Sequence, residues 1–146
     1  MVIPGIVKIG WVYVDNIPDM TYPLTISFWV NDGINPLPPI VTGSGIILKP
    51  EFIELTKVAS LKEEAESDSL GFACESTLDF YSEVEIPLIR KIAFVAYDVL
   101  GNKYLVGSGL PHSGSLKRIG QIDSPEGGAS VFHYSFKVPV PVIKVF

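Results

Sequence analysis

The sequence predicts an all-β fold, an antiparallel β-sandwich or partly closed barrel of about eight strands with little or no helix. Three observations carry this expectation. Several segments place apolar residues at every second position, as half-buried strands require because successive side chains point to opposite faces. The 12 prolines and 13 glycines fall mostly between those segments. No alternation of strand-like and helix-like segments suggests a βαβ unit.

Taken in order, VKIGWVYV (residues 7–14) is apolar on both faces, which suits a strand covered by two layers. LTISFWV (24–30) alternates, with Leu24, Ile26, Phe28 and Val30 against Thr25, Ser27 and Trp29. IVTGSGIIL (40–48) is again apolar on both faces. Residues 50–68 admit two readings. Good helix formers follow a proline at a plausible first helical position. A long hairpin pairing 52–66 with 72–81 accounts for both halves at once. FACESTLDF alternates, with Phe72, Cys74, Ser76, Leu78 and Phe80 on one face. KIAFVAY (91–97) is a doubly covered strand, and DVLGNK (98–103) reads as a hairpin turn into a further strand. VFHYSFKV alternates once more, with Phe132, Tyr134, Phe136 and Val138 on one face.

Residues 1–138 are expected to form one β domain, and residues 139–146 an extended C-terminal tail. Pro139 and Pro141 keep that tail out of a helix and out of a central strand. Its apolar residues Val140, Val142, Ile143, Val145 and Phe146 need cover, along the chain's own body or along a neighbour. At 146 residues the chain has the size of one domain, which hides roughly 70% of its unfolded surface. It is 47% hydrophobic and 18% charged, with a mean hydropathy of +0.36. That apolarity suits a chain that covers part of its surface with neighbours.

The formal net charge of −5 and the lack of a basic stripe argue against nucleic-acid recognition. No apolar run reaches the roughly 18–20 residues of a membrane-spanning helix, and no secretory signal is read at the start. A single cysteine, Cys74, excludes an internal disulfide and the C-x-x-C zinc patterns. It falls on an apolar strand face, where thiols act as small hydrophobes. The acidic run KEEAESD (62–68) reads as a solvated face.

The loop GSGLPHSGS (107–115) is neither a dinucleotide fingerprint nor a P-loop, since it opens no helix and His112 replaces the third glycine. His112 beside Ser113 and Ser115 lacks the strained elbow of a nucleophilic serine, although Asp98 or Asp123 remains an available orienting group. His133 belongs to a polar strand face, and two histidines do not make a three-histidine metal site. Glu83 and Glu85 share a face, as many exposed strand acids do. No catalytic, cofactor-binding or metal-ligating residue is therefore assigned. The remaining candidates are interface or ligand-stacking residues: Trp29, Trp11 and Tyr13, with the tail residues named above. Trp29 alternatively belongs to a second covered face.

Two stretches carry a resemblance. FIELTKVASLKEEAESDSLGFACESTLDF (52–80) resembles strand pairs in tail and baseplate proteins of tailed bacteriophages, where an acidic first strand leads through a short glycine turn to an L-x-F strand. IAFVAYDVLGNKYLVGS (92–108) is similar to the strand–turn–strand unit of small prophage virion proteins, with its D-x-x-G-x-x-Y-L-V-G spacing. The resemblance implies a non-enzymatic structural subunit of a tail, neck or baseplate ring or tube. It also implies homo-oligomers, other virion proteins as partners, no cofactor, and assembly in a host cytoplasm into the virion. The alternative is a sandwich that binds a glycan or peptide through exposed aromatics.

Overall fold

The computed structural model describes residues 2–18, 26–33, 45–68, 71–86, 90–109, 113–122 and 130–146. The described residues form β1 (Val2–Tyr13), β2 (Phe28–Val30), β3 (Ile46–Leu48), β4 (Glu51–Ile53), β5 (Ala59–Asp68), β6 (Gly71–Ser82), β7 (Ile92–Asp98), β8 (Lys103–Val106), β9 (Ser115–Ile122), β10 (Val131–Val138) and β11 (Ile143–Val145). The helical content among them is one 3-10 turn, Val14–Asn16. The all-β expectation holds. The strands outnumber the expected eight because β4, β9 and β11 carry too little alternation to be read separately.

One sheet of nine strands runs in the order β11-β8-β7-β1-β5-β6-β10-β9, with β4 also on β1. Its pairings are antiparallel, and it does not close into a barrel. β1 is the hinge of this sheet. One edge of β1 holds β7, while the other holds β5 near its start and β4 near its end. The register against β5 slips between Ile3 and Ile6, where Gly5 takes φ +72. Side chains rarely adopt that conformation, and a Cβ here would also press on Val99.

The bent sheet packs on itself. Phe94 of β7 meets Phe80 of β6 at 5.4 Å and Phe136 of β10 at 4.9 Å between ring centres, both edge-to-face. Edge-to-face contacts match the ring quadrupoles. Ile6, Ile9, Leu61, Leu78 and Tyr134 complete this core. The other face of β7 presents Ala93, Val95 and Tyr97 to a second core with Phe28, Val30, Leu48 and Leu105. A small parallel sheet, β2 beside β3, covers it. Every residue of β7 is therefore buried, which is why its sequence is apolar in both phases. Of the segments 24–30 and 40–48 expected as strands, the described strand residues are 28–30 and 46–48; residues 24–25 and 40–44 lie outside the described residues.

The hairpin reading of residues 50–68 is the one adopted. β5 pairs β6 from Ser60↔Asp79 to Asp68↔Gly71. The first strand starts at Ala59 instead of Phe52, because residues 54–58 break to dock on the end of β6. There Thr56 N–H donates to the Tyr81 carbonyl (3.1 Å) and Ser82 Oγ donates to the Glu54 carbonyl (2.8 Å).

The last eight residues also stay with their own chain. Ser76 Oγ donates to the buried Val140 carbonyl (2.7 Å). β11 pairs β8 through Ile143↔Leu105 and Val145↔Lys103. The backbone of Phe146 donates to the Phe28 carbonyl (2.9 Å) and accepts from Val30 N–H (2.7 Å), so the chain's end joins the two sheets.

Because Phe94 touches both halves of the folded sheet, Phe94→Ala should cost about 3–5 kcal/mol. Urea unfolding followed by fluorescence checks this; an unshifted midpoint would mean that the two halves do not meet at this ring.

Candidate functional site

β1 presents Ile9, Trp11 and Tyr13 to one side and Val12 to the other, where Val14 of the following 3-10 turn joins it. Ile9 is buried, but past the end of the main core the same side opens into a cleft of about 590 Å³ lined by Trp11 and Tyr13. Phe52 and Ile53 of β4 form one wall, and Val84, Ile86 and Ile92 form another. Trp11 and Tyr13 stand edge-to-face at 4.9 Å. Arg90 lies over the Tyr13 ring at 3.6 Å and is held by Asp15 at 2.9 Å. Ile86 is fixed from below, its N–H donating to Tyr134 Oη at 2.7 Å. Glu85 at the rim is bound by Arg118 at 2.8 Å. The walls are apolar and aromatic, and the rim alternates Glu51, Glu85 and Arg90. Such a cleft takes a small ligand or a short extended chain with a flat apolar face and a polar border.

The structure thus brings together two of the aromatic candidates, Trp11 and Tyr13. Trp29 lies elsewhere, on β2, half-buried with its ring over Gly45, which leaves no room there for a Cβ. Val140, Ile143 and Val145 are buried in this chain's own cores and Val142 packs against one of them. Their surface is already covered, because the open edge of β8 and the Ser76 hydroxyl hold the tail at home. Phe146 keeps its ring in solvent, 65% exposed. Sequence reasoning missed Phe52 and Arg90 and read Glu85 only as an exposed strand acid; Phe52 comes from β4, and Glu85 and Arg90 come from the connection between β6 and β7.

His112 and Asp123 lie outside the described residues. Asp98 is committed to its own turn. Its Oδ1 accepts from the N–H groups of Leu100 and Asn102, and its Oδ2 from Asn102 Nδ2 and Tyr104 Oη, all within 3.1 Å. Gly101 supplies the φ of +84 that closes this turn. His133 stacks on Tyr81 at 4.2 Å on the outer face of the sheet, with Asp79 at 3.9 Å. Burial, and then the neighbouring Glu63 carboxylate, push the Cys74 thiol up and away from the reactive thiolate. Among the described residues no group of three His, Cys, Asp or Glu is placed to hold a metal, and no helix is long and apolar enough to cross a membrane.

One buried polar cluster fastens the layers. The Asp32 carboxylate, 1% exposed, accepts from Tyr97 Oη at 3.1 Å and lies 3.7 Å from Lys103 Nζ. Burial, then the Asp32 carboxylate, raise the Tyr97 phenol well above its ordinary 10.0.

No family model, curated protein or solved structure matches the chain.

Burial alone would raise the Asp98 carboxyl, but the hydrogen bonds from Asn102, Leu100 and Tyr104 outweigh it and hold the group below its ordinary 3.8. A depressed carboxylate adds stability above its unfolded value of about 3.9, and that stability is lost as pH falls through the lower folded value. Asp98→Asn should therefore melt below the wild type at neutral pH, and the gap should narrow under about pH 4. Melting curves from about pH 6 to about pH 2.5 test this; a gap that stays constant would show that the charge of Asp98 is not what holds the turn.

Proposed function

We propose that this chain is a non-enzymatic structural subunit that works through contacts between copies, in an assembly of the tail, neck or baseplate kind. The observation that carries the reading is the reach of the β5–β6 hairpin. β1 accompanies β5 as far as Lys62, and β10 accompanies β6 as far as Ser76. Beyond those points the two strands continue together to the pair Asp68↔Gly71. Glu64, Ala65, Glu66, Ser67, Ala73 and Glu75 on this arm are exposed. A two-stranded ribbon is marginal by itself, and a neighbouring subunit supplies the strand partners that the described residues do not. The virion setting rests on the two hairpin resemblances, as do virion proteins as partners and assembly in a host cytoplasm.

Light scattering across a concentration series, with electron microscopy of the same samples, tests the reading. Rings, tubes or discrete oligomers are expected; a monomer at every concentration would overturn it.

The cleft favours a second reading, a module that binds a glycan or peptide by stacking on Trp11 and Tyr13. In that case ligand addition should quench tryptophan fluorescence, and Trp11→Ala should abolish the response while Trp29→Phe keeps it. Equal quenching in both variants would place the ligand elsewhere.

A further inference from the structure

The outward face of the arm is acidic. On its outward face Glu64 stands directly opposite Glu75 in the β5–β6 register, with Glu66 two positions further along the same face. Like charges directly across a strand pair are destabilising. Lys62 pairs with Glu64, and Lys62 first, with Lys137 a smaller influence, holds the Glu64 carboxyl below its ordinary value, so the face keeps its negative charge.

The complementary surface lies at the end of the sheet. β9 is the last strand in the order, and its outer edge has no strand partner among the described residues. Lys117 of β9 and Lys137 of the neighbouring β10 are both exposed. The register Ser135↔Lys117 and Lys137↔Ser115 makes them diagonal neighbours, on the outward face shared with the acids of the arm. When a strand adds to an edge the pleat continues, so outward faces stay aligned. An added β5 therefore brings Glu64 and Glu66 beside Lys117. The same lysine repels a second β9, which disfavours a symmetric edge-to-edge pair. The arm cannot reach the β9 of its own chain, because β10 lies fixed between β6 and β9.

Resting on the assembly reading above, we propose that the acidic β5–β6 arm of one copy adds its outer β5 edge to β9 of the next copy, with Glu64 and Glu66 set against Lys117 and with Lys137 one strand behind it. The contact joins two different surfaces, so it repeats head to tail and closes into a ring or runs on as a tube, depending on the rotation per subunit.

Two reversed chains test it: Glu64→Lys with Glu66→Lys on the arm, and Lys117→Glu with Lys137→Glu at the edge. Each alone should self-associate about tenfold or more weaker than the wild type, because like charges then face each other across the contact. An equal mixture of the two should co-assemble, since each arm then meets an edge of opposite charge. Glu64→Lys also places a lysine opposite Glu75, so the arm-reversed chain should still melt cooperatively, which separates lost assembly from lost folding. If the wild type assembles and both reversed chains assemble as well as it does, the surfaces are wrong and the assembly reading stands. If each reversed chain fails alone and the mixture also fails, the two surfaces do not meet. If the wild type stays monomeric, the assembly reading falls, and this contact with it.

Discussion

The structure depends on one strand being covered on both faces. All seven residues of β7 are buried, with Phe94 leading into the main core and Val95 into the second. The main core exists because the large sheet bends at β1 and returns over β7. The second exists because β2 and β3 cover the opposite side. Each rests on burying apolar area at roughly 25 cal/mol per Å², and both draw on the same short segment. The arrangement also explains why β1 carries a bulge at Gly5. A flat strand there would hold β5 and β6 away from β7, and Phe94 would lose both of its ring partners.

The two cores together bury residues from β1 to β11. The proline-rich end goes to β8 and to Phe28, so it completes the fold and does not extend toward a neighbour. Among the described residues three open features stand out: the acidic β5–β6 arm, the basic outer strand β9 with Lys117, and the apolar cleft beside Trp11. The arm and the cleft lie in different parts of the sheet and are lined by different residues. A stacking ligand at Trp11 and a neighbour on the arm are therefore compatible in one molecule.

Much of this architecture was legible in the residues, for physical reasons that differ by element. β7 was readable because a strand covered on both faces must be apolar in both phases. β6 and β10 were readable because one face meets the core and the other meets water, giving strict alternation at Leu78–Phe80 and Tyr134–Phe136. The turn after Asp98 was readable because a positive φ there calls for glycine. β9 was not. An edge strand with Lys117, Arg118 and a bulge before His133's partner Gly120 lacks an apolar phase to detect. β4 merged with β5 in the reading, since nothing local says that residues 54–58 leave the strand to bond with β6. The cleft was illegible for a more general reason. Phe52 is distant in sequence from Ile86 and Arg90, and the bend in β1 decides whether they meet.

The central claim is that this fold leaves an arm and an edge unfinished so that another copy can complete them. Amide hydrogen exchange of the β5–β6 arm and of β9, measured at low and at high protein concentration, tests that claim most directly, since added strand hydrogen bonds slow exchange at the amides that make them. The account predicts that protection at residues 63–68 and 115–118 rises together with concentration while β7 stays protected throughout. Exchange at both segments that is the same at every concentration would contradict it.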